Sequence, residues 1–115
     1  MAAYNWGKIE REQLNPLLAR QVIHGDRITL ARIHLAKGCI VPEHSHEQEQ
    51  LSWVKQGRLR FELAGAELIL GPGDVLPIPS GVPHRVEALE ESFVIDIFSP
   101  CREDWRSGQD QYLRK

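Results

Sequence analysis

The stretch GCIVPEHSHEQEQLSWVKQG, residues 38–57, decides how the rest of the chain is read. It is bounded by glycines at Lys37-Gly38 and Gln56-Gly57, both turn signals, and it sets His44 and His46 two positions apart. Residues two apart in an extended strand project to the same side, so this spacing directs two imidazoles into one space. The pair alone is weak evidence, because five histidines in a short chain can fall at this spacing by chance. Its frame strengthens it. Gln50 lies four residues beyond His46, and Ser52 and Val54 carry its parity into an apolar run. A second turn-rich segment, with Gly73, Pro79 and Gly81, then leads to His84.

Outward from that stretch, short apolar runs recur between glycine and proline breaks, which argues for strands rather than helices. The clearest runs are 27–35, 51–54, 58–63, 67–70, 75–78 and 93–98. In 58–63 the alternation is strict, with Leu59, Phe61 and Leu63 on one face and Arg58, Arg60 and Glu62 on the other, as in a half-buried strand. His24-Gly25-Asp26, Ala64-Gly65, Gly71-Pro72-Gly73-Asp74 and Pro79-Ser80-Gly81-Val82-Pro83 supply the turns. Strands at this spacing with no helical period between them predict an all-β sandwich or closed barrel. Helix is an option in two segments only: 10–18, interrupted by Pro16, and 102–115, polar apart from Trp105, Tyr112 and Leu113.

The length of 115 residues predicts a single domain over 1–115, with a strand arm at 1–26 and a C-terminal extension at 102–115. A composition of 42% hydrophobic and 26% charged residues is ordinary for a globular protein, and a net charge of −2 gives no basic footprint for nucleic acid. The first twenty residues show no basic start followed by an apolar run, and no stretch is apolar enough to cross a bilayer. A cytoplasmic protein with no membrane or nucleic-acid partner is therefore expected. Cys39 and Cys101 are too few for a disulfide framework and form no CxxC, so reduced thiols are the default, with Cys39 buried and inert.

With these residues in place, the chain resembles the cupin superfamily. The first cupin motif, G(x)5HxH(x)3,4E(x)6G, is met by Gly38, His44, His46, position Gln50 and Gly57, and the second, G(x)5PxG(x)2H(x)3N, by Gly73, Pro79, Gly81 and His84. The resemblance implies a double-stranded β-helix, or jelly-roll barrel, holding one divalent ion through His44, His46, Gln50 and His84. The motifs cover 38–57 and 73–88, and two positions depart from them: Gln50 replaces glutamate, and Ala88 stands where asparagine often closes the second motif. A neutral amide leaves the ion's charge uncompensated, so the site should be more Lewis acidic and bind metal less tightly than a carboxylate site. Three imidazoles with one oxygen donor suit zinc, nickel, iron, manganese, cobalt or copper and suit magnesium and calcium poorly.

Asp96 interrupts the apolar run 93–98 and is costly to bury without a partner. The plainer reading pairs it with an arginine such as Arg60 or Arg85; the functional reading makes it an acid or base beside the ion. The string Asp96-Ile97-Phe98-Ser99-Pro100-Cys101-Arg102-Glu103-Asp104 is similar to the D-x-F-S-P-x-R-E-D ending of KdgF-type cupins. That resemblance implies linearisation of unsaturated uronates to open keto sugar acids, with Asp96, Phe98 and Arg102 as active-site residues. Arg102 would hold the uronate carboxylate bidentately, and Phe98, by type more often core, is the least secure of the three. The run His44-Ser45-His46-Glu47-Gln48-Glu49-Gln50 departs from the common HSHPHEQ by placing Glu47 and Glu49 near the mouth. A metal-dependent dioxygenase and a non-catalytic sugar-binding cupin are the competing readings. A small-molecule substrate is expected, and a homodimer, with the strand around 20–23 as an exposed edge for a partner's sheet.

Overall fold

Alternating side chains set the architecture. A computed structural model describes residues 2–114, so the first residue of the N-terminal arm and the last of the C-terminal extension lie outside the described residues. Ten strands form: β1 (Glu12–Asn15), β2 (Leu18–His24), β3 (Thr29–Leu35), β4 (Ile40–His44), β5 (Glu49–Gln56), β6 (Leu59–Leu63), β7 (Ala66–Leu70), β8 (Val75–Ile78), β9 (His84–Ala88) and β10 (Ser92–Ser99). All pairings are antiparallel, in a six-stranded sheet ordered β1-β2-β3-β10-β5-β8 and a four-stranded sheet ordered β4-β9-β6-β7. The fold is the all-β jelly roll that the sequence predicts.

The strands β5 and β6 bury one parity between the sheets. On β6, Leu59 and Phe61 are buried, while outward Arg60 reaches Glu67 at 2.7 Å and Glu87 at 3.2 Å. On β5, Gln50, Ser52 and Val54 face inward, while Leu51 and Trp53 stand outward, with Lys55 Nζ 4.1 Å from the Trp53 ring centroid. Val54, Leu59, Phe61, Val94, Leu35, Leu14 and Leu18 fill one end of the barrel with apolar side chains. The other end is left polar.

Three expectations are corrected. Segment 10–18 is not helical: it forms β1 and the start of β2, on either side of Pro16. His44 and His46 do not share one extended strand: β4 ends at His44, and His46 lies in the loop that leads to β5, where Gly81 N donates to its carbonyl. Within the strand around 20–23, Arg20 is not at an edge, since it pairs with Glu12 of β1 and Ile33 of β3 and is only 1% exposed, whereas the β1 pairing stops short of residues 21–23. Among the described residues no helix is long and apolar enough to cross a membrane. Cys39 and Cys101 are free and buried, and burial pushes the Cys39 thiol up to about 11.

The two motifs are tied together through the backbone. Gly38 N donates to Ala88 O at 2.8 Å, Ala88 N donates to Cys39 O at 2.9 Å, and Gly81 N donates to His46 O at 2.9 Å. Ala88 is 1% exposed and packs in the core, so this chain uses position 88 for its backbone and its small side chain. Gly57 ends the first motif at φ +93°, and an added Cβ would sit 2.5 Å from Glu91 O and closer still to Ser92 Oγ. Gly57→Ala is therefore expected to lower the unfolding free energy by about 3 kcal/mol through strain and overlap, measured as a shift of the urea midpoint. A shift below about 0.5 kcal/mol would show that the turn relaxes freely.

Candidate metal centre

Strand register brings the sequence-predicted residues together at the polar end. His84 pairs with His44 across β9 and β4, and on β10 and β5 Phe98 pairs with Gln50 and Asp96 with Ser52. His44, His46 and His84 place one donor atom each within 4.8 Å of one another. The orientation of each ring is fixed from behind. His44 Nδ1 lies 2.8 Å from Pro42 O, His84 Nδ1 2.9 Å from Val82 O and His46 Nδ1 3.0 Å from Gln48 O. A carbonyl can only accept, so each Nδ1 carries the proton and each Nε2 keeps a lone pair for the centre.

Those lone pairs are available at neutral pH. Burial is the main cause that pushes His44 and His46 down to about 4 and also lowers His84; neighbouring imidazoles and Arg102 add to the effect, while the backbone hydrogen bonds oppose it. His84 Nε2 is buried and has no hydrogen-bond partner among the described residues. A buried nitrogen left without a partner is costly, and a divalent cation would satisfy it. Gln50 Oε1 lies 3.1 Å from His46 Nε2, on the same side. The donor set fits a transition metal ion, and the three imidazoles are the ligands on which that fit rests.

Asp96 points inward from β10 rather than toward Arg60 or Arg85. Those arginines lie on the four-stranded sheet and pair with Glu67, Glu87 and Glu62. Opposite Asp96 on β3 is Ala31, fully buried, whose small side chain leaves room for the carboxylate. Ser52 Oγ donates to Asp96 Oδ1 at 2.6 Å and accepts from Gln50 Nε2 at 2.9 Å. Burial pushes the Asp96 carboxyl up to about 6, against the lowering effect of the Ser52 and Gln50 hydrogen bonds and of Arg102. Phe98, 2% exposed, sets its ring 5.7 Å from His46, and the Arg102 guanidinium lies 4.8 Å from the Phe98 centroid.

Arg102 is only partly available. Its Nε and Nη2 donate to the two carboxylate oxygens of Asp104 at 3.0 and 2.8 Å, and Nη2 also donates to Tyr112 Oη at 2.6 Å. Nη1 makes no hydrogen bond to the described residues. The bidentate grip expected from the sequence is thus already engaged by Asp104, which leaves one nitrogen for a ligand. Glu47 and Glu49 are exposed and outside the cavity lining.

The C-terminal extension closes the polar end. A helical turn α1 (Glu103–Arg106) and a 3-10 turn (Gln111–Leu113) fold back so that Trp105, Tyr112 and Leu113 line the same cavity as His44, His84 and Asp96. The Tyr112 ring lies 4.6 Å from that of His44, tilted by 32°. Asp110, fully buried, anchors this segment to Arg20 at 2.5 Å and to Arg114 at 3.0 Å, and Asn15 Nδ2 donates to Leu113 O at 2.9 Å. Sequence reasoning missed the roles of Tyr112 and Asp104 around Arg102, which only the fold-back creates, and the supporting Arg20–Asp110 pair, because no spacing rule connects residues 90 apart. Ser52 carried a usable signal, since it shares the inward parity of Gln50.

The cupin domain family model matches residues 31–98. The chain belongs to the cupin family. Among solved structures, this cupin is similar to KdgF from Halomonas sp. at 30% identity and a TM-score of 0.84, over 90% of this chain and 99% of that one. It is also similar to an RmlC-like cupin from Shewanella frigidimarina NCIMB 400 at 28% identity and a TM-score of 0.84, over 89% and 93% of the two chains. An oxalate decarboxylase from Bacillus subtilis, at 19% identity and a TM-score of 0.76, shares the fold over 84% of this chain and 29% of its own. No curated protein matches the chain closely enough to add a further comparison.

Burial pushes the Asp110 carboxyl up, but Arg114 and Arg20 outweigh it and hold the group below the ordinary carboxylate range. A carboxyl depressed by folding contributes stability that is present above its unfolded pKa and lost as pH falls through its folded pKa. Urea midpoints should therefore fall on acidification below about pH 4. Asp110→Asn should cost roughly 3 kcal/mol at pH 7 by leaving Arg20 buried without its carboxylate, and should flatten that acid limb. Equal acid slopes in both proteins would remove Asp110 as the cause. His84→Ala should reduce bound metal from about one equivalent to below about a tenth, measured by elemental analysis of the purified protein.

Proposed function

We propose that this cupin is a cytoplasmic, metal-dependent isomerase that opens the ring of a small unsaturated sugar acid, with a uronate as substrate. The observation that carries the reading is the company the three imidazoles keep. An inward carboxylate, Asp96, an aromatic wall, Phe98, and a guanidinium with one open nitrogen, Arg102, line one cavity with His44 and His84. The similarity to KdgF from Halomonas sp., over nearly the full length of both chains, supports it.

A divalent ion held by His44, His46, His84 and Gln50 supplies Lewis acidity toward a substrate oxygen. The remaining chemistry falls to the chain. Arg102 Nη1 meets the substrate carboxylate, and the Phe98 ring beside it supplies a flat apolar surface. Asp96 accepts the proton of the anomeric hydroxyl as the bond from the anomeric carbon to the ring oxygen breaks, giving an aldehyde and an enolate. Return of that proton from Asp96 to the alkene carbon completes the ketone. The sum is an isomerisation, so no oxidant, reductant or water is consumed. Asp96 suits this exchange because burial moves its carboxyl toward neutrality, where it can both take and return a proton. Trp105, Tyr112 and Leu113 limit the access of water to the same space.

The metal-loaded protein should remove the absorbance of an unsaturated monouronate. Asp96→Asn should lower kcat by about a hundredfold or more with its metal content unchanged. Arg102→Lys should act mainly on KM, raising it by about tenfold. Turnover by Asp96→Asn at the unsubstituted rate would sink the acid–base assignment, and oxygen uptake without loss of uronate would replace the reaction class.

A further inference from the structure

Gln50, Ser52 and Asp96 form a hydrogen-bond chain whose direction is set at one end. Ser52 Oγ donates to Asp96 Oδ1 at 2.6 Å, and that contact uses the single proton of the serine hydroxyl. The hydroxyl can then only accept from its other neighbour. Its other neighbour is the Gln50 carboxamide at 2.9 Å, and the atom placed there must be the amide nitrogen. Oε1 is thereby turned away from Ser52 and toward His46 Nε2, 3.1 Å off, at the point the imidazoles share. A carboxamide is nearly symmetric in shape, and half a turn about its last bond exchanges an oxygen that attracts a cation for an NH2 group that repels one. The choice falls to its neighbours, the Ser52 hydroxyl and the Asp96 carboxylate that Gln50 also hydrogen-bonds. Ser52 is 1% exposed, so no bulk water can substitute for its hydroxyl.

We infer that Ser52 is a positioning residue of the metal centre: its hydroxyl, held by Asp96, locks the Gln50 carboxamide with the oxygen facing the three histidines. The inference rests on reading Gln50 as the fourth ligand. The consequence is specific to an amide ligand. A glutamate at position 50 offers two equivalent oxygens and needs no such lock, so the serine should matter only while position 50 is glutamine.

Zinc affinity, measured by competition with a chromophoric chelator, tests this without reference to turnover, in the full chain and in variants at positions 50 and 52. Ser52→Ala is expected to weaken zinc binding by about tenfold or more in the Gln50 protein and by less than about threefold in a Gln50→Glu background. Ser52→Thr, which keeps the hydroxyl on a residue favoured in strands, is expected to bind within about threefold of the unsubstituted protein. Equal losses in the two backgrounds would mean a general structural role and overturn the inference, as would no loss from Ser52→Ala or no rescue by threonine. If Gln50→Ala binds zinc as tightly as the unsubstituted protein, the ligand reading fails and this inference with it. If Gln50→Ala weakens binding and Ser52→Ala does not, only the inference about Ser52 fails.

Discussion

The groups that face the histidine cluster depend on the antiparallel pairing of β10 with β5. That pairing sets Phe98 beside Gln50 and Asp96 beside Ser52 on the inner surface of the larger sheet. Side-chain period in a strand is two, so a slip of one residue would turn outward the polar pair of whichever strand moved, bringing Leu51 and Trp53 inside for β5 or Ile95 and Ile97 for β10. The apolar residues of the same strands prevent it, because Val54 and Val94 are buried on the inner face and hold the register from the other end of the barrel. The packing that stabilises the fold is thus what aims the polar groups.

A division of labour follows along each strand. One end of the barrel removes apolar surface from water, and the other keeps polar groups in a confined space where electrostatic effects are large. Burial has opposite effects on the two kinds of titrating group there. It strips protons from imidazoles, which readies His44, His46 and His84 as ligands, and it returns a proton toward Asp96. One environment therefore readies a metal base and a proton carrier without separate devices for each.

Much of this was legible in the sequence, and the limits have physical causes. The strict alternation at Leu59, Phe61 and Leu63 and the glycine-bounded run around His44 and His46 announced strands, because local periodicity fixes local conformation. Gln50 and His84 were found by spacing, and Asp96 and Arg102 only through family resemblance, since a single carboxylate in an apolar strand is ambiguous without its neighbours. β9 escaped notice because its strand character comes from pairing with β4 and β6 rather than from composition. The second half of the Arg102 story was not readable either. Asp104 is two residues away and Tyr112 ten, but only the fold-back of the extension directs both at one guanidinium.

That engaged guanidinium has a consequence for what the cavity can select. A free arginine fork presents two parallel donors and fixes the plane of a carboxylate; a single nitrogen fixes only a point and leaves rotation about it open. With Nε and Nη2 committed to Asp104 and Tyr112, Arg102 meets a ligand in the manner of a lysine, though with its position held rigidly. For a ligand of the proposed class, discrimination by ring stereochemistry would then fall to the histidine cluster and the Phe98 wall. On that reading the cavity would recognise the distance between a charge and a metal-binding oxygen more sharply than the handedness of the carbon frame that joins them.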